Sequence, residues 1–284
     1  MTAAQAVAET CAALRQAGIA EAQREAELLV AAALGVERAY LIAHPETPLS
    51  AQHCMRLHRW IRRRAAREPL AYITRRVWFY GLRLHIGRGA LIPRPETEHL
   101  VEQFLQWAQR HEFAHTPMLV DAGTGSGAIA IACLLHAPRW LAVGIDCSRL
   151  ALRIAARNRR AFKLQQRLLL VQGDWLTPLR PHSVDAVIAN PPYVLPDEWD
   201  SLQPEIRLYE PRQALLVPPD DPLRPYREIA QAARRVLRSP GLLVFETSPR
   251  LAPHLASHLP AWGFAQTFTC TDYSGALRVV GATV

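Results

Sequence analysis

From residue 118 onward, the chain alternates short apolar runs with longer amphipathic segments. The short runs predict strands at residues 118–121, 141–145, 168–172, 184–189, 241–246, 264–270 and 276–282. The amphipathic segments predict helices at about residues 127–136, 148–161, 223–237 and 249–259. This alternation favours an α/β fold with a mainly parallel, doubly wound sheet. Only the turn Asp272–Gly275 separates the last two strands, so we expect an antiparallel last strand.

Residues 1–70 show a different pattern, in which apolar positions recur at spacings of three and four residues. This periodicity predicts helices. The segment His44–Pro48 interrupts the pattern before a further helix that Ser50 could cap. That helix carries a row of arginines along one face, namely Arg56, Arg59, Arg63 and Arg67. A solvated face is the ordinary interpretation of such a row, and docking of an acidic or RNA-containing partner is the alternative.

Two β-rich runs follow the helical region. Tyr72–Phe79 and Leu82–Ile86 flank Tyr80-Gly81 and predict a hairpin. The next segment, Leu91–Glu98, opens a predicted helix that runs to about Arg110, and its Pro95 suits a first helical turn. The predicted domains are a helical domain at residues 1–70, a hairpin linker at residues 71–90 and a larger α/β domain at residues 91–284.

Composition and charge indicate the cellular compartment and the classes of partner that are possible, but they do not identify the function. The net charge of +8 comes almost wholly from arginine and permits binding to nucleic acid or to an acidic protein, although composition bias explains it equally well. No apolar run reaches the roughly 18–20 residues of a membrane span, and no signal peptide is visible, so we expect a cytoplasmic protein. The cysteines show no paired spacing and the histidines no metal-ligand pattern, which predicts free thiols and no metal.

The first predicted strand of the larger domain runs into a glycine-rich segment, Asp121–Gly127, and a predicted helix follows. Glycines let the backbone approach a ligand and adopt positive φ, while a helix start offers free N–H groups. The segment therefore predicts a nucleotide-like ligand. A dinucleotide remains possible here, because Gly123, Gly125 and Ala128 also fit the pattern G-x-G-x-x-A. No Gly-Lys-Ser/Thr follows, which excludes a Walker A loop.

The next two strands end in candidate ligand contacts. Asp146 ends the second strand, where its carboxylate can accept hydrogen bonds from both hydroxyls of a ribose, as in NAD or S-adenosylmethionine. Asp174 and Trp175 follow the third strand and offer a carboxylate for an adenine amine and a ring to cover the base. Simple turn residues are the alternative interpretation of all three.

The fourth strand ends at Asn190-Pro191-Pro192-Tyr193. Neither proline can donate a hydrogen bond or extend a β-ladder, so the segment exposes backbone carbonyls. An asparagine oxygen, a free carbonyl and an aromatic face then lie together at the carboxyl end of the sheet. This combination suits a planar amino or amide nitrogen that is held by two acceptors and stacked on a ring.

Together, these strand ends resemble class I S-adenosylmethionine methyltransferases that act on exocyclic amino or amide nitrogens, whereas hydride transfer gives no reason for Asn190–Tyr193. The resemblance is closer still to the peptide chain release factor glutamine N(5)-methyltransferases. It covers most of the chain and rests on Leu91–Glu98, Asp121–Gly127, Asn190–Tyr193 and Tyr209–Leu215. It implies a Rossmann-like class I methyltransferase sheet preceded by a small helical domain and a β-hairpin.

The resemblance also implies roles for individual residues. Those expected to hold S-adenosylmethionine are Gly123, Thr124, Gly125, Ser126, Gly127, Asp146, Asp174, Trp175 and Asn190. Those expected to hold the glutamine amide are Asn190, Pro191, Pro192 and Tyr193, with Asn190, Pro191 and Tyr193 as the catalytic set. The implied reaction methylates the glutamine of the Gly-Gly-Gln motif in class 1 release factors. We expect the helical domain to help hold that factor, with no metal, no membrane and no requirement for nucleic acid, in a monomeric enzyme.

The chain departs from this family's pattern in places. Phe245–Ser248 replaces the usual Glu-then-Gly strand ending, and Val217–Pro222 is rich in proline where glycines are usual, so local loop shape is expected to differ. Trp78–Gly81 is closer to a sister family that methylates a glutamine on a large-subunit ribosomal protein, although that family tends to have Pro-Arg-Ser-Pro where Pro93–Glu96 stands here. That activity is the alternative. A nucleic-acid amino-methyltransferase, which would usually need a base-flipping pocket, and a non-catalytic binding module in translation are more distant alternatives.

Overall fold

The computed structural model describes all 284 residues, which form two compact units. The helical unit comprises Met1–Arg76 and Gln203–Tyr209, and the sheet unit comprises Val77–Leu202 and Glu210–Val284. The helices are α1 (Ala3–Gln16), α2 (Ala22–Leu34), α3 (Arg38–Ala43), α4 (Ala51–Ala65), α5 (Leu70–Thr74), α6 (Glu98–Arg110), α7 (Ala128–His136), α8 (Arg149–Ala161), α9 (Pro204–Tyr209), α10 (Arg224–Val236) and α11 (Ala252–His258). The strands are β1 (Arg76–Phe79), β2 (Leu82–His85), β3 (Met118–Ala122), β4 (Leu141–Asp146), β5 (Leu168–Gln172), β6 (Val184–Ala189), β7 (Leu237–Glu246), β8 (Gln266–Thr271) and β9 (Leu277–Thr283).

The helical unit has its own apolar core, formed where α1, α2 and α4 pack together. Leu14, Leu29 and Leu57, one from each of these helices, are almost fully buried there. The Ser50 hydroxyl accepts a hydrogen bond from the His53 backbone N–H at 3.2 Å, which confirms Ser50 as the cap of α4. This unit can therefore form a core from its own residues.

The predicted arginine row is only partly a solvated face, and its last member, Arg67, lies beyond the end of α4 at Ala65. Arg63 pairs with Glu68 at 2.8 Å, and Arg67 pairs with Glu205 of α9 at 3.0 Å. Arg59 lies exposed on the same helix. Glu205 also binds Arg64 at 2.9 Å, which explains why residues 203–209 fold with the helical unit although they lie far along the chain.

The predicted hairpin is present, but its first strand is shorter than expected. Residues Tyr72–Thr74, predicted as strand, belong to helix α5, and β1 begins only at Arg76. The side chains of Tyr72 and Ile73 are buried, so packing outweighs the β-propensity of this run. The turn itself is as expected, since Tyr80 and Gly81 have φ of +50° and +70°, which suits a two-residue hairpin turn.

The large sheet has the strand order β5-β4-β3-β6-β7-β9-β8. Strands β3 to β7 pair in parallel, and β9 runs antiparallel to both of its neighbours, which confirms the predicted sheet with an antiparallel last strand. Successive residues of the inner strands point to opposite faces. Leu242 and Val244 enter the core that contains α6 and α7, whereas Leu243 and Phe245 enter the core that contains α10 and α11. Both faces are covered, so a continuous apolar run can form each inner strand. None of the helices combines the length and apolar character needed to cross a membrane.

Candidate active site

The carboxyl ends of the parallel strands β3 to β6 meet at one edge of the sheet. Ala122 at the end of β3 lies opposite Ile145 on β4 and Ala189 on β6, so the residues that follow each strand come together. A cavity of about 180 Å³ opens at this edge. Its lining includes Leu91, Gly123, Gly125, Asp146, Asp174, Trp175, Asn190, Pro192 and Pro211. Parallel topology thus brings most of the sequence-predicted site residues to one cavity.

The glycine loop closes one side of the cavity in a conformation that glycine adopts readily. Gly123, Gly125 and Gly127 have φ of +78°, +56° and +81°. The Gly125 N–H donates to the Asp146 carboxylate at 2.8 Å, and this bond fixes the loop against β4. Of the five predicted loop positions, only Gly123 and Gly125 line the cavity.

Thr124 and Ser126 are nearly fully buried and support the loop from behind. The Thr124 hydroxyl donates to Asp121 at 2.7 Å, and the Ser126 carbonyl accepts from Asn158 at 2.9 Å. Neither residue lines the cavity. Both therefore act in shaping the glycine loop.

Asp121 is a fully buried carboxyl group beneath this loop. One oxygen accepts hydrogen bonds from the Thr124 hydroxyl and the Ala130 N–H, while the other has no partner. Burial raises the pKa of Asp121 to about 6, against the lowering effect of these two hydrogen bonds. The loop is thus anchored to an acid that titrates near neutral pH.

Asp146 is half-buried at the cavity wall, where each oxygen already accepts one backbone N–H. The donors are Gly125 and Ser148, both at 2.8 Å. Each carboxylate oxygen has a second lone pair, so both can still accept a bond from a ligand hydroxyl. Burial raises the pKa of Asp146 above its ordinary value, and the two N–H donors oppose that rise.

Asp174 and Trp175 form the opposite wall. Asp174 is exposed, while the Trp175 ring lies close to Gly123, where an added Cβ would be 3.5 Å from the ring. The indole N–H of Trp175 donates to Glu228 at 3.2 Å and so holds the ring in place. Because residue 123 has no side chain, the Trp175 ring can pack closely against the glycine loop.

Asn190 lies where the cavity reaches the end of β6. Its side-chain N–H₂ donates to the Thr97 hydroxyl at 3.3 Å, whereas its oxygen is buried and has no hydrogen-bond partner. Buried polar atoms are nearly always paired, so this oxygen marks a place where a donor belongs. Pro192 lines the cavity beside it, while Pro191 is buried next to the cavity rather than in its wall.

Tyr193 packs against the sheet core and does not line the cavity. Burial raises the pKa of Tyr193, and the nearby Glu246 carboxylate raises it further. Its hydroxyl therefore stays protonated in the physiological range. The structure thus brings Asn190 and Pro192 to the cavity and places Pro191 and Tyr193 just behind.

Sequence reasoning did not single out three residues that organise this site, namely Thr97, Glu210 and Glu246. Glu210 is buried and accepts the Ile92 N–H at 3.0 Å while pairing with Arg94, so it joins the two segments that carry Leu91 and Pro211. Only the acidic character of Glu210 within Tyr209–Leu215 could have indicated it. Glu246 is fully buried at the end of β7.

Two family models match the chain. The model described as "PrmC N-terminal domain" matches residues 5–74, and "Methyltransferase small domain" matches residues 97–202. The release factor glutamine methyltransferase of Caulobacter vibrioides is 37% identical over 94% of this chain and 91% of its own. That of Cereibacter sphaeroides is 37% identical over 99% and 98%.

The chain belongs to the release factor glutamine methyltransferase family. It is therefore an enzyme that uses S-adenosylmethionine, and the resemblance found in the sequence is confirmed. Among solved structures, the catalytic domain of human Mettl16 in complex with the MAT2A 3'UTR hairpin 1 is similar with a TM-score of 0.52. It is 16% identical over 85% of this chain and 84% of its own, a likeness that concerns the fold alone.

The residues that line the cavity are chemically suited to bind S-adenosylmethionine. The Trp175 ring faces a glycine, the Asp146 carboxylate has free acceptor capacity, and the Asn190 oxygen has no partner. These features match an adenine ring, ribose hydroxyls and a nearby donor. Nowhere do three or more His, Cys, Asp or Glu side chains come together as metal ligands would.

Proposed function

We propose that the protein methylates the side-chain amide nitrogen of the glutamine in the Gly-Gly-Gln motif of class 1 release factors. Its curated relatives carry the name release factor glutamine methyltransferase and align over nearly the whole chain. The observation that carries the proposal at the site is the buried, unpartnered oxygen of Asn190 at the cavity. An amide N–H₂ is a donor of the right kind for that oxygen.

We assign the cofactor to the cavity that the glycine loop, Asp146 and Trp175 line. Gly123 and Gly125 would approach it closely, with Thr124, Ser126 and Gly127 shaping the loop behind them. Asp146 would accept the ribose hydroxyls, and Asp174 and Trp175 would bind the adenine. When bound, the cofactor supplies an electrophilic methyl group on a positively charged sulfur. Asn190 would lie between the cofactor and the glutamine.

The task of the protein is then to make an amide nitrogen react. Its lone pair is delocalised, and no ordinary side chain removes its proton beforehand. The Asn190 oxygen and the Pro191 carbonyl can each accept one N–H, which draws electron density onto nitrogen and directs it. Orientation at near-contact distance supplies much of the remaining rate. The surplus proton leaves the nitrogen after the new N–C bond forms.

Pro192 and Tyr193 complete the proposed glutamine site. Pro192 would form its apolar wall, since it lines the cavity beside Asn190. Tyr193 would pack along the amide plane in the complex. Because burial keeps the Tyr193 hydroxyl protonated, Tyr193 acts here through its ring and as a hydrogen-bond donor and not as a base.

We further propose that residues 1–70 form the docking domain for the release factor. The large apolar side chains that the helical unit exposes include Tyr40 at 45%, Ile42 at 59% and Met55 at 68% of their full accessibility. Replacing Ile42 with Asp should raise KM for the release factor and leave kcat and cofactor affinity near wild type. An unchanged KM for this variant and for Met55→Asp would remove these side chains from the docking surface.

The proposed function is tested by presenting the purified enzyme with methyl-labelled S-adenosylmethionine and one acceptor at a time. The acceptors are a release factor, the same factor with its Gly-Gly-Gln glutamine replaced by alanine, large-subunit ribosomal protein and RNA. We expect label on the intact release factor and none on its alanine variant. Label confined to ribosomal protein or RNA would overturn the proposed substrate. Calorimetry of cofactor binding would show whether the purified protein is folded and able to bind the cofactor.

A further inference from the structure

A buried carboxyl group lies beside the proposed glutamine site and takes no part in the reaction described above. Glu246 ends β7, and the pairing of Ala189 with Phe245 places Glu246 level with Asn190 at the carboxyl edge of the sheet. The side chain is fully buried, and neither carboxylate oxygen has a hydrogen bond of ordinary geometry. A buried carboxylate without partners is costly, so its neighbours should be disposed to donate to it.

Thr97 connects this carboxyl group to Asn190. It immediately precedes α6, but its hydroxyl does not cap the helix. The hydroxyl instead accepts the Asn190 side-chain N–H₂ at 3.3 Å. Thr97 also lowers the pKa of the neighbouring Glu246, although no hydrogen bond of ordinary geometry joins the two side chains. Thr97 is itself almost fully buried, so water does not compete for these contacts.

The proton of the Thr97 hydroxyl decides which end of Asn190 faces the cavity. A hydroxyl has one proton to donate, and an ionised carboxylate can only accept. When Thr97 donates to Glu246, only its lone pairs remain for Asn190, so Asn190 must turn its nitrogen toward Thr97. The Asn190 oxygen then faces away from Thr97, which is the orientation seen here.

We propose that Glu246 and Thr97 are positioning residues that hold the Asn190 side chain with its oxygen, rather than its nitrogen, toward the substrate. The two ends of an asparagine amide are nearly identical in shape, so packing alone cannot choose between them. The reversed side chain would present N–H₂ to the N–H₂ of a glutamine, and neither could accept. This inference rests on the proposed function, because it requires an amide donor as the substrate group.

The proposed orientation depends on the charge of Glu246. Burial raises the pKa of Glu246 to about 7, although Thr97, Arg278 and Tyr193 lower it and Glu96 raises it. A protonated Glu246 can donate to Thr97, which frees the Thr97 proton for the Asn190 oxygen and favours the reversed side chain. The ionised form is therefore the active one, and kcat should rise as pH increases through about 7.

The test compares Thr97→Val, which keeps the shape of the side chain without its hydroxyl, with Thr97→Ser, which keeps the hydroxyl. The kcat of Thr97→Val should fall about 10- to 100-fold, the effect of losing one or two buried hydrogen bonds, with a smaller change in KM. The acid limb of the pH profile should disappear in this variant and in Glu246→Gln. Thr97→Ser should recover most of the rate and keep the acid limb. Wild-type kcat together with an unchanged acid limb in Thr97→Val would overturn the proposal.

A second measurement needs no substrate and separates this proposal from the proposed function. In ¹⁵N-labelled enzyme, the Asn190 side-chain N–H₂ signals, assigned by their absence in Asn190→Ala, should exchange slowly with water and lose that protection in Thr97→Val. Slow exchange without methylation of a release factor would overturn the proposed function only. If the enzyme methylates a release factor but the Asn190 side-chain N–H₂ signals exchange at the same rate in wild type and Thr97→Val, only the orientation mechanism would be overturned. Calorimetric binding of S-adenosylhomocysteine identifies variants that fail to fold. If Glu246→Gln fails to fold, the result for Thr97→Val decides the proposal.

Discussion

Replacing Asp121 with Asn should change how the stability of the protein depends on pH. The carboxyl group of Asp121 is fully buried beneath the glycine loop. An Asn oxygen could still accept from both the Thr124 hydroxyl and the Ala130 N–H, which now share one carboxylate oxygen. The new N–H₂ would take the place of an oxygen that has no partner, at a cost of about 1–3 kcal/mol. That cost is independent of pH and can be separated from the effect of the charge.

The charge effect follows from the pKa of Asp121, which is about 6 in the folded protein against an ordinary value of 3.8. Because the folded pKa is the higher one, the folded state holds the proton longer as pH rises. The free energy of unfolding is therefore greatest below pH 3.8, falls as pH rises toward about 6 and then levels off. The full loss is about 3 kcal/mol, at 1.36 kcal/mol per unit of pKa difference.

Urea unfolding of wild type and Asp121→Asn at several pH values measures this difference. Relative to wild type, the variant should gain about 2 kcal/mol between about pH 4.5 and pH 7.5. Glu246 contributes a similar slope to both proteins and cancels in the comparison. A difference between the two proteins that stays constant with pH would refute the claim that Asp121 is ionised at a high cost in the folded state.

Three further substitutions test the site. Asn190→Ala should lower kcat about 10²- to 10³-fold without a comparable loss of stability, and full activity would remove its acceptor role. Asp146→Ala should weaken cofactor binding about tenfold or more in calorimetry, whereas unchanged affinity would place the ribose hydroxyls elsewhere. Gly144→Ala would put a Cβ 2.9 Å from the Thr124 hydroxyl and should lower the free energy of unfolding by about 1–3 kcal/mol. Adding Thr124→Ala should recover part of that loss, and strictly additive losses would contradict the clash.

The strands of the large sheet could be predicted because their burial is nearly complete. Every residue of β6, Val184–Ala189, is buried, and Asp185 is its single polar residue, so the run stands out as apolar. The active-site edge could also be predicted, since parallel strands carry their following residues to a common edge. Asn190 and Asp146 do meet at the cavity there.

The features of the fold that could not be predicted depend on contacts between distant parts of the chain. Tyr72 and Ile73 have strand-forming side chains but are buried in a short helix. The segment Gln203–Tyr209 joins the helical unit through Glu205, which no local pattern indicates.

Glu246 is a residue of the site whose position relative to Asn190 could not be predicted from the sequence. Its position in Phe245–Ser248 marks only a departure from the usual family pattern. Its importance becomes visible when the pairing of β6 with β7 places it level with Asn190. Local sequence can thus identify the residue that we propose contacts the substrate, but not the residues that we propose orient it.

The most direct test of the central claim locates the transferred methyl group by tandem mass spectrometry. A release factor is incubated with the enzyme and S-adenosylmethionine, and its Gly-Gly-Gln peptide is fragmented. We predict one added methyl group on the glutamine side chain with the wild-type enzyme, and none with Asn190→Ala. A methyl group on any other residue, or an unmodified peptide from an enzyme that binds the cofactor, would contradict the account.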